Sequence, residues 1–293
     1  MLNELRHRLF TNGFVAVLDT RDNHPVETTA TCLPLSTELR LLENEGKIDN
    51  RVEEFDKAHG YWNEKWMIGV STLSGCPVLC KFCACNRVTE KYGWRKLTDI
   101  EIVNQVIYAE ERVKGLYGDK IEGVDPRNAK LFRILFTRMG EPAYNIKNVI
   151  MAIKLLKVEY PNARVQISTI GIPKSVELVD ALLDLDDEYC HEWLELQFSI
   201  HSTDDNFRQW LLSKNVLPNR VIGELAEKFY YAKPRKWKVT LNFALAKQTP
   251  FDPKLLLEQF DKDACFVKLS PINENVVSKS NDLGTLIHYK NTI

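Results

Sequence analysis

From residue 65 onward the chain alternates between two hydrophobic periods. Short runs of β-branched and aromatic residues fall at 65–72, 131–137, 163–169, 194–200, 238–245 and 265–272, and each reads as a strand. Between them, over 98–114, 145–158, 175–185, 219–231 and 252–260, apolar positions recur every three or four residues, the spacing of an amphipathic helix. Thr98 ahead of Asp99 and Glu101, and Asp252 ahead of Pro253, supply helix starts. Strands alternating with helices predict an α/β fold with parallel strands and right-handed crossovers. Six such strands make a partial (β/α)6, TIM-like barrel, whose site is expected at the carboxyl ends of the strands.

Outside this repeat the pattern changes. Residues 14–32 read as a β-hairpin with Asn23 in its turn, and 37–59 as a charged helical insert. Residues 1–64 therefore read as an N-terminal hairpin and helical extension, and 65–293 as the core domain. The closing stretch "DLGTLIHYKNTI" is too short for a full sixth helix, so the last helix is expected to be short or absent. Gly, Asp, Pro and Asn make 114–130 a surface insertion.

With 293 residues, 44% of them hydrophobic, the chain can bury a substantial core. The 39 Lys and Arg nearly cancel the 40 Asp and Glu, so no global field draws the protein to nucleic acid or to an anionic membrane. No apolar run approaches the roughly 18 residues of a membrane span, and the N-terminus is not a secretory signal. The expectation is a cytoplasmic protein whose thiols stay reduced. A cysteine cluster in that setting points to metal or redox chemistry.

Four of the seven cysteines lie in "STLSGCPVLCKFCACN" at 71–86. Cys76, Cys80 and Cys83 form C-x3-C-x2-C, a set of thiolates able to hold three irons of a 4Fe–4S cubane and leave the fourth open. A structural zinc site, buried core cysteines, and a four-thiolate cluster using Cys85 are the alternatives. Zinc would normally show paired C-x2-C units or Cys/His pairs. Cys83 and Cys85 have one residue between them, an awkward spacing for joint ligation of one cubane, so Cys85 reads as a bystander. The spacing, with Phe82 directly before the third cysteine, resembles the radical S-adenosylmethionine (SAM) superfamily. The resemblance implies that the open iron binds SAM and that the reduced cluster cleaves it to a 5′-deoxyadenosyl radical.

Polar motifs follow the predicted strands. In "MGEP" (139–142) Gly140 allows close backbone approach and Glu141 offers a carboxylate to the SAM ammonium. "STIGIP" (168–173) and "SIHS" (199–202) place Ser168, Ser199 and His201 at strand ends, and "SPIN" (270–273) places Asn273 there.

In order, "GVSTLSGCPVLCKFC", "RMGEPAYNIKNVI", "ISTIGIPKSVELV", "FSIHSTDDNFRQWLL" and "VKLSPINEN" resemble one branch of the superfamily, the RNA adenine C-2 and C-8 methyltransferases, over about residues 65–281. The resemblance assigns the cluster to Cys76, Cys80 and Cys83, and SAM contacts to Gly140, Glu141, Ser168, Ser199, Ile200, His201 and Asn273. That branch also needs two methyl-transfer cysteines. Where one is expected this chain has Gly69, and no cysteine follows Cys265 to serve as the other. The branch's helical RNA-binding domain has no counterpart in the short N-terminal extension.

The basic and aromatic stretch "KFYYAKPRKWK" (228–238) suits single-stranded nucleic acid, or else is an ordinary helix end and turn. The function expected is a radical SAM modification of a nucleic acid or nucleotide-like substrate, distinct from two-cysteine methyl transfer. Radical modification of a peptide or small metabolite, and a non-catalytic cluster- and SAM-binding partner subunit, are the alternatives. An external flavodoxin- or ferredoxin-like reductant is implied, and a partner protein could cover the open barrel edge.

Overall fold

The computed structural model describes residues 2–10, 12–20, 22–33, 62–119, 123–188 and 193–285. The chain opens on β1 (Asn3–Phe10), β2 (Gly13–Asp19) and β3 (Pro25–Leu33), paired antiparallel in sequence order. The expected hairpin is β2 and β3, with Asn23 at φ 62° in the connection. β3 pairs antiparallel with β4 (Lys65–Val70), so the hairpin continues the main sheet. The insert read as helical at 37–59 lies outside the described residues.

β5 (Leu73–Ser74) and β6 (Arg95–Lys96) form a small separate ladder. The remaining strands are β7 (Leu131–Phe136), β8 (Arg164–Thr169), β9 (Leu194–Ser199), β10 (Val239–Leu245) and β11 (Cys265–Pro271). The large sheet runs β1-β2-β3-β4-β7-β8-β9-β10-β11. Its pairings from β4 to β11 are all parallel, as the alternating pattern requires.

The helices are α1 (Asn86–Tyr92), α2 (Asp99–Tyr117), α3 (Ile146–Glu159), α4 (Ser175–Glu188), α5 (Asp205–Leu211), α6 (Asn219–Tyr231), α7 (Pro253–Gln259) and α8 (Val276–Ser280). α2 starts on a reciprocal cap. Glu101 N–H donates to Thr98 Oγ1 at 3.1 Å, and Thr98 N–H donates to Glu101 Oε2 at 2.9 Å. α7 starts where Lys254 N–H donates to Asp252 Oδ1 at 2.8 Å, with Pro253 first in the helix.

β1 has no counterpart in the sequence reading because every residue of it is exposed, so no apolar face marks it. α1, α5 and α8 have seven, seven and five residues, and unlike the equally short α7 none of them opens on an Asp–Pro start. The stretch after α2 is tied to that helix: Lys114 Nζ donates to Glu110 at 2.6 Å and to Asp125 at 2.8 Å.

The two faces of the parallel strands differ. Phe132, Ile134, Val165, Ile167, Leu196 and Phe198 are buried in one core cluster with Val106, Ile153, Leu182 and Ile222 of the helices. Burying each such side chain is worth about 1.5–3 kcal/mol. On alternate positions stand Arg133, Gln166, Ser168, Glu195, Gln197 and Asn242, which face a cavity. Among the described residues no helix is long and apolar enough to cross a membrane.

Candidate radical SAM site

The cysteine loop leaves β4 and is pinned before it reaches its first thiol. Ser71 N–H donates to Gln105 Oε1 at 2.8 Å, Gln105 Nε2 donates back to Ser71 O at 3.0 Å, and Ser71 Oγ donates to Glu27 O at 2.6 Å. Asn145 Nδ2 donates to Thr72 O at 2.9 Å and to Leu97 O at 2.8 Å. Gly75 holds φ 66°, and a β-carbon there would stand 2.5 Å from Gly93 O, so the turn into Cys76 needs glycine. Cys76 N–H then donates to Thr89 Oγ1 at 2.8 Å, and Cys83 N–H to Cys80 O at 3.0 Å. Cys85 is the cap residue of α1, with its carbonyl accepting from Thr89 N–H at 3.0 Å.

Two distant asparagines clamp the loop from beyond β11. Asn275 Nδ2 donates to Phe82 O at 2.8 Å, and Asn281 Nδ2 donates to Lys81 O at 3.0 Å. Nothing local in the sequence pairs these residues with a loop some two hundred positions away.

Cys76, Cys80, Cys83 and Cys85 line a cavity of about 1160 Å3 together with Gly140, Glu141, Ser168, Ser199, His201 and Asn273. The sequence motifs at the strand ends thus meet around one space. Ile200 is different: its side chain is fully buried in the core. Its N–H donates to Asn242 O at 2.9 Å and its carbonyl accepts from Arg208 Nε at 2.9 Å.

Burial pushes the Cys76 thiol up to about 12, with the neighbouring Cys83 adding to it, and burial likewise raises Cys80, with Cys83, Cys76 and Glu141 adding to it. A hydrogen bond from Cys85 holds Cys83 below the usual thiol range and raises Cys85 itself. The loop thiols are therefore near neighbours in a low-dielectric wall, and a bound metal would be needed to keep Cys76 and Cys80 deprotonated. Among the described residues no trio of His, Cys, Asp or Glu converges on a single ion. A cubane presents its irons at separate corners, so three thiols of one loop suit it as a donor set.

Glu141 is buried, and three donors from its own chain hold its carboxylate. Ala143 N–H lies 3.1 Å and Thr169 Oγ1 2.5 Å from Oε1, and Ile170 N–H lies 3.0 Å from Oε2. Burial nevertheless raises its pKa, the hydrogen bonds opposing. Gly140 holds φ 99°, and a β-carbon there would stand 2.6 Å from the Leu73 side chain.

His201 is buried at φ 63°, its Nδ1 accepts from Ala244 N–H at 2.9 Å, and its ring stands edge-on to Phe82 at 5.1 Å. Burial, with the Arg208 charge adding, lowers its pKa to about 3, so the ring is neutral at physiological pH. Asn273 is exposed at the cavity rim.

Arg208 was not a sequence candidate, yet it holds the strand ends in place. Fully buried, it donates from Nε to Ile200 O at 2.9 Å, from Nη1 to Leu217 O at 2.8 Å and from Nη2 to Ile170 O at 3.1 Å. The polar inner face was missed as well. Arg133 Nη2 donates to Gln166 Oε1 at 2.8 Å, Gln166 Nε2 to Gln197 Oε1 at 3.0 Å, and Gln197 Nε2 to Ser168 Oγ at 2.9 Å. Ser168 and Ser199 hydroxyls complete the chain at 3.4 Å. The signal was available: parallel strands are ordinarily apolar on both faces, and these carry polar residues at alternate positions.

The basic and aromatic stretch divides. Phe229 is in the core with Arg235 packed 3.6 Å from its ring centre, while Lys236, Trp237 and Lys238 line the cavity.

No family model matches the chain. A probable dual-specificity RNA methyltransferase RlmN of Dictyoglomus turgidum is 28% identical over 232 residues, 75% of this chain and 60% of that protein. The corresponding probable RlmN of Thermotoga neapolitana is 31% identical over 222 residues, 72% of this chain and 56% of the relative. The chain thus spans less than two thirds of the length of these relatives. In fold, a crystal structure of a radical SAM methyltransferase from Sphaerobacter thermophilus matches with a TM-score of 0.65 at 20% identity, covering 93% of this chain and 67% of that one. In sequence the chain is similar to the RlmN-type branch of the radical SAM superfamily, and in fold to a radical SAM methyltransferase.

Proposed function

We propose that the chain is a radical SAM enzyme that modifies a nucleic acid or nucleotide-like substrate. The observation that carries the reading is the meeting of Cys76, Cys80 and Cys83 with Glu141, Ser168 and Ser199 on one cavity wall. When bound, a 4Fe–4S cluster supplies the electron that splits SAM into methionine and a 5′-deoxyadenosyl radical. Cys76, Cys80 and Cys83 would hold that cluster and leave one iron for SAM, with Cys85 supporting Cys83 by its hydrogen bond.

Around SAM, Gly140 gives the ligand's amino group a close backbone approach. Glu141 fixes the loop that carries it. Ser168 and Ser199 offer hydroxyls to the carboxylate and ribose, and Asn273 offers an amide to the purine edge. His201, being neutral, orients through its hydrogen bond and its contact with Phe82 and brings no charge. Ile200 contributes through the buried floor beneath these groups.

The sheet is read as a partial (β/α)6 barrel of the radical SAM type. Support for that comes from the strands β4 and β7 to β11, which together present side chains to a single cavity. The division into a 1–64 extension and a 65–293 core is part of the same reading, as are a cytoplasmic setting, an external flavodoxin- or ferredoxin-like reductant and a partner covering the edge at β11. The nucleotide-like substrate rests on the relatives named as RNA methyltransferases. Gly69, where the resemblance expects a cysteine, favours a radical modification other than two-cysteine methyl transfer.

Anaerobic incubation of the reconstituted protein with SAM and dithionite tests the reading. Release of 5′-deoxyadenosine, accelerated by RNA or nucleotides, is the expected result. A cluster-loaded protein that cleaves no SAM under any of these conditions would contradict it.

A further inference from the structure

Below the cysteine loop the cavity is cationic. Lys65, Arg133, Arg138, Lys236, Lys238 and Lys268 line it, against the carboxylates of Glu141 and Glu195. Glu195 is committed to Arg133 in an ion pair. Lys238 Nζ donates to Lys262 O at 2.8 Å.

Lys268 has no such arrangement. It stands mid-strand on β11, in register with Asn242 on β10, which is in register with Ser199 on β9. Its ammonium makes no hydrogen bond or ion pair among the described residues. Burial in the cavity wall holds it below the usual lysine range, and the Arg133 charge lowers it further. The side chain of Asn242 is likewise uncommitted among the described residues and faces the same space. An ammonium without a counter-ion, on a cavity wall that carries further cations, is a ready partner for an anion.

We infer that the cavity beneath the cysteine loop holds a phosphate subsite, with Lys268 as its principal cation and Arg133 and Asn242 flanking. A phosphate suits it better than a carboxylate. It carries more than one negative charge, and Lys236 and Lys238 lie on the same cavity for the remainder. The subsite deepens the nucleotide-like reading and rests on it for the identity of the phosphate's bearer. Trp237, on the same wall with the Arg164 guanidinium 4.9 Å from its ring centre, is placed to report occupancy.

The experiment is titration of the intact protein, without SAM, by calorimetry and Trp fluorescence, with Trp237→Phe to assign the signal. Probes are inorganic phosphate, adenosine, adenosine 5′-monophosphate and succinate. The monophosphate is expected to bind about tenfold more tightly than adenosine, the worth of one charge-assisted hydrogen bond. Lys268→Met should erase that difference and the response to phosphate, and Lys268→Arg should keep both. Melting curves and circular dichroism confirm that each variant is folded, and Lys268→Gln stands in if the methionine variant is not. Equal binding of adenosine and its monophosphate, with no response to phosphate, overturns the subsite. So does a phosphate response that Lys268→Met leaves intact, or succinate binding as well as phosphate. A Lys268-dependent phosphate response with no nucleotide binding keeps the subsite and rejects the nucleotide-like substrate.

Discussion

A β-carbon placed on Gly69 would stand 2.8 Å from Cδ of Arg138, and 2.6 Å from Thr29 Oγ1. Arg138 is held there by its ion pair with Glu27. The space a side chain at residue 69 would need is taken by the Thr29 hydroxyl and the methylenes of Arg138. Gly69→Cys should therefore lose about 1–3 kcal/mol of stability, as overpacked sites do. Pairing it with Arg138→Ala should return part of the loss. Thermal denaturation of the single and double variants checks this, and a Gly69→Cys protein as stable as the wild type would refute it.

Arg208 closes three loops with one side chain, through the carbonyls of Ile170, Ile200 and Leu217. Arg208→Met would leave all three without their donor. Each buried unsatisfied acceptor costs about 1–3 kcal/mol, so a loss of roughly 3 kcal/mol or more is expected in urea denaturation. SAM affinity should fall with it, since Ser168, Ser199 and His201 ride on those strand ends. Unchanged stability would show that the loops are held by other means.

His201 gives the protein a pH dependence. Its folded-state pKa of about 3, set by burial and then by Arg208, lies below the ordinary value of 6.5. The unfolded chain thus takes up a proton on acidification before the folded one does. Stability from this residue is full above about pH 6.5 and is lost progressively as the pH falls toward 3. Stability curves of wild type and His201→Asn should converge in slope above that range and diverge within it, the variant being flatter. Parallel curves from pH 6.5 to 4 would contradict a neutral, buried His201.

How much of this was legible in the sequence follows from what each feature leaves in local pattern. The strands β4 and β7 to β10 and the helices α2, α3, α4 and α6 wrote their period into the chain, because each buries an apolar face, whereas α7, with no buried residue, was legible from its Asp252–Pro253 start. The cysteine loop announced itself by spacing, and MGEP, STIGIP, SIHS and SPIN by their place at strand ends. β1 left no trace, being exposed on both faces. Arg208 reads as one more surface cation of a short helix, since its three acceptors come from segments far from it in sequence. The Asn275 and Asn281 clamps are hidden for the same reason. Lys268 and Gln197 were visible as polar residues inside strands, but only the sheet shows that alternate positions face one cavity.

Cys85 tests the assignment of ligands. As a supporting neighbour of Cys83, it can be replaced with little effect on the metal. Cys85→Ser should retain iron and sulfide content after anaerobic reconstitution, whereas Cys76→Ala, Cys80→Ala or Cys83→Ala should lose the cluster. Loss of iron from Cys85→Ser to the same degree as from the other three would make it a fourth ligand and leave no iron open.

The central claim, that three thiolates leave one iron for SAM, is tested most directly by electron–nuclear double resonance on the reduced, reconstituted protein. SAM labelled with nitrogen-15 at its amino group and oxygen-17 at its carboxylate is the probe. The account predicts hyperfine coupling of both labels to the cluster. A spectrum unchanged by SAM, or a protein that takes up zinc in place of iron, would contradict it.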